Sequence, residues 1–364
     1  MPTEAGATAG VMPRAARAAP HPVAARRILR LAFGTALCLA VTQAFGGPLA
    51  FIAPVLTMFI LATPLPAPGI KKGLALVVAL VVPMLASLAL LPFLAQARWA
   101  GIVGLGLALF YTFYFTARGG SAVLGTFMTV GLTLVVTVGS ISPELLVVLI
   151  GALGINALVG VAFVWLAFLL FPDLPTESVP GGGKPPPQST TPPRGAGRRA
   201  LRSLLVVLPL ALVFLFSSAS AAYTPVMIKV ASMGQEASVA DSRVLGRSLL
   251  ASTLWGGLGA LLAWGLLRVW PSLVPYTLIV ALAGLWFGRR IFRGVAVTPD
   301  FGTWSYAFLT LLVLLGPAVA DSPLGGGLGF GQRLGLFVLI AVYGTAAVAV
   351  FDAFWPPRGD PHHE

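Results

Sequence analysis

The residue types that most often carry catalysis or hold metals are scarce in this chain and poorly placed for either task. All three histidines, His21, His362 and His363, stand in the terminal stretches, and the single cysteine, Cys38, lies within an apolar run. One cysteine can form neither an internal disulfide nor a thiolate metal cluster, and its surroundings fit a small buried hydrophobe. Thr35-Ala36-Leu37-Cys38 also lacks the small residue expected ahead of a lipoprotein cysteine. Two glycine strings look superficially like phosphate cradles. Gly181-Gly182-Gly183-Lys184 is followed by proline instead of Ser or Thr, and the string from Gly325 to Gly331 follows no strand, so neither meets the requirements of a nucleotide loop. Glu144, Asp300 and Asp321 read as loop or helix-end residues. No cofactor, no metal and no enzyme activity is expected.

Transport-like chemistry needs polar groups inside apolar runs, where burial in lipid is costly unless a partner or a cavity receives them. Gln43, Asn156 and Asp352 are the candidates. Asn156 fits a hydrogen bond to another helix, and Gln43 stands near the end of the first apolar run. Asp352 lies about one turn before the end of the last run. Pairing with a nearby Arg fits it better than proton coupling, which is its other reading. Two short apolar segments, 49 to 64 and 220 to 233, each contain a proline, Pro54 and Pro225. Proline removes a backbone donor, so the carbonyls of Ala50 and Ala221 become candidates to face a ligand path between discontinuous helices. An ordinary kink satisfied by neighbouring helices fits equally well. Arg30, Arg118, Arg202 and Arg290 are candidates for an inner basic mouth, although orientation during insertion and binding of anionic lipid headgroups explain them as well. Tyr111 and Tyr114 belong to an aromatic run that mostly suits the lipid interface, with stacking on an aromatic substrate as the alternative.

The elements that would position these residues are membrane helices. The 364-residue chain is 57% hydrophobic and 9% charged, with a mean hydropathy of +0.93, whereas a soluble domain carries about 25% charged residues. The net charge of +12 sits in the connecting segments, so it does not mark a nucleic-acid partner. Twelve apolar segments approach the roughly 20 residues that span a bilayer. They fall into two sets of six on either side of a Pro, Gly, Ser and Thr-rich linker. The expected organisation is a disordered tail (1–25), a first membrane repeat (26–172), the linker (173–197), a second membrane repeat (198–356) and a short tail (357–364).

The sets repeat their landmarks in order. Arg26, Arg27 and Arg30 in RRILR correspond to Arg198, Arg199 and Arg202 in RRALR; Pro54 corresponds to Pro225, Lys71 and Lys72 to Arg243 and Arg247, and Arg118 to Arg290. The first basic and apolar stretch looks like a signal peptide, but its internal copy cannot be removed in that way, so it reads as a membrane helix. With the amino terminus inside, all but Arg98, Arg268 and Arg333 of the 23 Lys and Arg residues fall on the cytoplasmic side. That count includes Lys229. Both RRxLR segments must then lie inside, which makes the repeats parallel. The expectation is an all-α, multi-pass protein of the bacterial inner membrane with about twelve helices and both termini cytoplasmic.

On Arg30 and Arg202, the hairpins near Pro54 and Pro225, and the basic residues Lys71, Lys72 and Arg243, the chain resembles the fusaric-acid-resistance and aromatic acid exporter family. A compact branch of that family is the nearest match in size. The resemblance implies proton-motive export of small aromatic or hydrophobic organic acids or toxic compounds, with a periplasmic adaptor of the membrane-fusion type (HlyD-like) and homo-oligomerisation as possible partnerships. Larger members carry sizeable cytoplasmic domains where this chain has only the linker. The alternative is a non-transporting membrane scaffold that anchors an adaptor.

Overall fold

A computed structural model describes residues 22–139, 143–173, 195–215, 224–239, 242–293, 296–298, 300–319 and 329–355. The histidines, the Gly181 to Lys184 string, Ala221, Asp321 and nearly all of the linker lie outside the described residues.

The first half of the chain forms α1 (Pro22–Phe45), α2 (Ile52–Ala62), α3 (Ile70–Leu88), α4 (Leu91–Gln96), α5 (Arg98–Ala117), α6 (Ala122–Gly139) and α7 (Pro143–Leu170). The second half forms α8 (Ala196–Leu215), α9 (Thr224–Val239), α10 (Ser242–Val269) and α11 (Leu273–Ile291), a two-residue hairpin of β1 (Phe292–Arg293) and β2 (Ala296–Val297), then α12 (Phe301–Val319) and α13 (Phe330–Phe354). Among the described residues, seven helices are long and apolar enough to cross a membrane, which marks a multi-pass membrane protein built from helices. The short α4 is an element that the apolar pattern did not separate from its neighbours.

Four helices form the centre. Every residue of α2 is buried, as expected of a helix apolar on all sides, and α12 is buried without interruption from Ser305 to Pro317. With α6 and α9 they enclose a gap of about 20 Å³ lined by Val55, Phe59, Phe127, Val130, Ile228 and Leu309 among others. That is room for about one water.

The surrounding helices pack in corresponding pairs. In the first half α3 packs on α6 and α7, α1 on α2 and α7, and α5 on α6; in the second, α10 packs on α12 and α13, α8 on α9 and α13, and α11 on α12. The halves also exchange partners, because α1 lies along α11 and α8 along α5. The ends of α2 and α9 reach the same end of the bundle. The Phe59 ring near the end of α2 lies 6.2 Å from that of Tyr306 in the first turns of α12, tilted by 54°, and Glu236 near the end of α9 is joined through Ser248 to Thr303 at the start of α12.

Pro54 and Pro225 differ from the expected interruptions. Pro54 is the third residue of α2 and Pro225 the second of α9, in first turns where the missing N–H has no intrahelical acceptor. They start helices and do not break them. Helix-interior prolines are found instead in α3 (Pro83), α8 (Pro209) and α12 (Pro317).

Glycine sets the closest approaches. A Cβ on Gly256 of α10 would collide with the backbone carbonyl of Ala307 on α12, and one on Gly131 of α6 would stand 2.6 Å from the carbonyl of Leu80 on α3. Gly265, also on α10, has no neighbour within 4 Å of such a methyl. Gly256→Ala should therefore destabilise the detergent-solubilised protein by about 1–3 kcal/mol. Gly265→Ala should leave the unfolding midpoint within measurement error. Parallel thermal melts check both outcomes.

Candidate functional site

Helix α9 reads TPVMIKVASMGQEASV. Its small residues, Ala231, Ser232, Gly234, Ala237 and Ser238, let neighbouring helices approach closely; a methyl on Gly234 would stand 2.7 Å from the Phe113 ring. From Pro225 to Ser238 every residue is buried. Into this close-packed interior α9 carries Lys229, Gln235 and Glu236, which are 1%, 1% and 6% exposed.

Three neighbouring helices answer these groups. The Lys229 ammonium donates to Thr310 Oγ1 of α12 at 2.9 Å, and the Gln235 amide donates to Thr129 Oγ1 of α6 at 2.7 Å. The Ser248 hydroxyl of α10 donates a short hydrogen bond to Glu236. Ser248 and Thr303 Oγ1 lie 2.7 Å apart; since the one Ser248 proton is spent on Glu236, Thr303 is the donor in that contact. Lys229 and Glu236 are seven residues apart, so they share a helix face about 10 Å apart along the axis, and Glu236 is the counter-charge that acts on Lys229. Glu236 Oε2 and Gln235 Oε1 are buried with no hydrogen-bond partner among the described residues.

Two opposite charges buried about 10 Å apart on one helix face add little net stability, because desolvation offsets their attraction. Ionisable groups held in a membrane interior are instead the usual mark of an ion or substrate pathway. The set contains a cation, an exchangeable carboxyl with one uncommitted oxygen, and a chain of hydroxyls. It can therefore hold an anion or pass a proton.

The residues singled out from sequence do not converge here. Asn156 on α7 donates to the carbonyls of Ala152 at 2.7 Å and Pro48 at 3.2 Å, tying α7 to the turn before α2. Ala50 is buried in that turn. Gln43 lines a separate cavity at the far end of α1. Tyr111 is 66% exposed on the outer face of α5, while Tyr114 stacks on Phe110 at 6.0 Å. Asp352 pairs with Arg198 at 2.7 Å and lies 3.9 Å from Arg202, which gives it a holding role at a helix end.

The four arginines split into two kinds. Arg30 and Arg202 are 4% and 2% exposed. Arg30 donates to the Phe171 carbonyl at 2.7 Å and pairs with Asp173 at 2.8 Å, whereas Arg202 donates to the Ala237 carbonyl at 2.6 Å. Arg118 and Arg290 are exposed and lie over aromatic rings, Tyr114 at 5.4 Å for Arg118, and Trp286 and Trp304 for Arg290 at 5.1 and 4.8 Å.

Lys229 corrects the sequence reading, which placed it among the cytoplasmic loop cations. It is buried about one and a half turns inside α9, and moving it leaves the charge imbalance in place. Gln235 and Glu236 were missed for the same reason, since a cluster of polar residues at the end of a modestly apolar run looks like a loop. The available signal was the density of small residues around them.

The coupling of Gln235 to Thr129 is directly measurable. Thr129→Val strands the Gln235 amide and should cost about 1–3 kcal/mol of unfolding free energy. Adding Gln235→Leu should recover most of that loss. A double-mutant cycle read by denaturant unfolding in detergent checks the pair.

Residues 27–167, the span from α1 to the last turn of α7, match the model of DUF2955, a family described as protein of unknown function. No curated protein and no solved structure matches the chain. What the sequence is similar to over its first half is thus a family with no assigned activity, and the polar groups of α9 lie beyond the matched residues.

Proposed function

We propose that the protein is a proton-coupled exporter of small aromatic or other hydrophobic organic acids in a bacterial inner membrane. In this reading it has twelve spans in two parallel six-helix repeats, and both termini are cytoplasmic. The observation that carries the proposal is the buried Lys229 and Glu236 pair on α9, where helices of both halves meet. The resemblance to the fusaric-acid-resistance and aromatic acid exporter family supports the substrate class. The corresponding packing pairs of the two halves and the shared end reached by α2 and α9 support the parallel repeat.

The coupling follows from competition for one cation. With Glu236 ionised, the ammonium of Lys229 is balanced internally. A proton taken up from the periplasmic side on the uncommitted Oε2 neutralises Glu236, and Lys229 then attracts a substrate carboxylate from the cytoplasmic side. Loss of the proton to the cytoplasm restores the internal balance and expels the anion to the periplasm, so proton and substrate move in opposite directions. At each stage the net charge in the apolar interior stays near zero, which the low dielectric demands. Because the central gap is about 20 Å³, passage of an aromatic acid requires one half to move against the other, as in alternating access between repeats. Membrane lipids and a periplasmic membrane-fusion adaptor are the partners that fit this reading.

The tightness of that centre also favours a second reading, a membrane scaffold that anchors an adaptor and moves nothing. Reconstitution separates the two. Liposomes carrying the protein should move labelled 4-hydroxybenzoate above the protein-free baseline when a pH gradient is imposed, and Glu236→Gln should lower that flux by about tenfold or more. Asp352→Asn should lower stability and leave the dependence on the gradient intact. Flux at the protein-free baseline rejects export; a Glu236→Gln rate equal to wild type removes Glu236 from the coupling.

A further inference from the structure

At the end of the bundle away from Arg30 and Arg202, the end of α1, the end of α10, the start of α11 and the end of α12 enclose a cavity of about 480 Å³. This lies within the size range of small-molecule sites. Its walls are largely apolar, with Trp264, Leu267, Leu273 and Val319 among them, and its polar lining is Gln43, Arg268, Ser272 and Tyr276. Among the described residues that line it, none is acidic.

Two of those polar groups are buried donors without a partner among the described residues. Tyr276 is 1% exposed, and its hydroxyl has no hydrogen-bond partner there. The Gln43 Nε2 donor is likewise buried and unpartnered. A buried hydroxyl or amide left unsatisfied costs about 1–3 kcal/mol, so two in one cavity favour an acceptor beyond those the described residues supply. Arg268 brings the charge to match: its guanidinium lies 4.9 Å over the Trp264 ring, which is itself stacked on Phe330 at 4.8 Å. The first turn of α11 opens on the same space. Its N-cap Ser272 lines the cavity and makes no side-chain cap, and the start of a helix is a region favourable to negative charge.

We infer that this cavity binds an amphipathic oxyanion, a carboxylate or phosphate attached to an apolar body. The charged head is received by Arg268, Tyr276, Gln43 and the start of α11, and the body lies against Trp264 and the aliphatic wall. The same chemistry is offered by a free organic acid and by a lipid headgroup. The assignment rests on the lining alone, so it stands or falls separately from the exchange at Lys229 and Glu236.

The test uses the purified full chain in detergent with labelled benzoate as the free-acid probe, and nanodiscs of phosphatidylcholine with or without phosphatidylglycerol as the lipid probe. Saturable benzoate binding should weaken about tenfold in Arg268→Gln and several-fold in Tyr276→Phe. Benzyl alcohol, which has the ring without the charge, should not compete. Glu236→Gln should bind benzoate as wild type does, which separates this site from the transport reading. If phosphatidylglycerol displaces benzoate and is retained in native mass spectra by wild type but not by Arg268→Gln, the anion is a lipid headgroup; if benzoate binding is indifferent to the lipid, it is a free acid. The inference is overturned if both variants melt like wild type and neither changes the binding of either probe, or if benzyl alcohol competes as well as benzoate.

Discussion

A charged helix in an apolar interior can be kept only if its polar groups are met from outside it, and α9 imposes that demand on the rest of the fold. Each unsatisfied group would cost more than a typical packing contact returns. Lys229 therefore calls for Thr310, Gln235 for Thr129, and Glu236 for Ser248, which in turn is held by Thr303. These partners lie on α12, α6 and α10. Their hydroxyls reach α9 only if backbones come close, and the glycines supply that closeness: Gly256 lets α10 lie against the Ala307 carbonyl of α12, and Gly234 lets α9 lie under Phe113 of α5. Small residues at helix contacts and polar residues that bond across them are two sides of one packing solution in a membrane.

The arginines apply the same constraint at the helix ends. The last carbonyls of a helix have no partner within it, and cations are favoured there. Arg26 and Arg30 on α1 reach the carbonyls of Pro172 and Phe171 just beyond α7, and Arg198 on α8 reaches the carbonyl of Trp355 just beyond α13. An aspartate completes each arrangement, Asp173 in one half and Asp352 in the other. The two basic RRxLR segments thus have a structural use beyond orientation. Each fastens the first long helix of its half to the last.

The helices were legible because their apolar lengths are set by the membrane, and the corresponding landmarks were legible because charges are rare enough for each to stand out. Cys38 and Asn156 behave as their surroundings implied, one as a buried hydrophobe and the other as a bond across an interface. What the sequence concealed was burial on α9. Its composition is close to that of a solvated helix, and only the shield of α6, α10 and α12 makes it interior. That shield depends on contacts distant in the chain, such as Gln235 with Thr129 and Lys229 with Thr310, which no local pattern encodes. The prolines misled for a related reason: Pro54 and Pro225 mark short helices correctly, but whether a proline starts or breaks a helix depends on where the preceding turn ends.

The two short central helices occupy corresponding places and have opposite chemistry. In α2 the sole polar side chain is Thr57, whose hydroxyl is spent on the carbonyls of Ala53 and Gly160 at 2.9 and 3.1 Å. In α9 the corresponding interior holds a cation, an amide and a carboxyl. The two central helices are therefore used asymmetrically: α2 provides a wall and α9 provides the charges. The family match, residues 27–167, falls on the half with the wall. Lys229, Gln235 and Glu236 all lie outside it. Similarity to that family speaks for the helical frame, and the chemistry has to be argued from α9 itself, where the cost of burying three polar groups is the physical reason to look for a function.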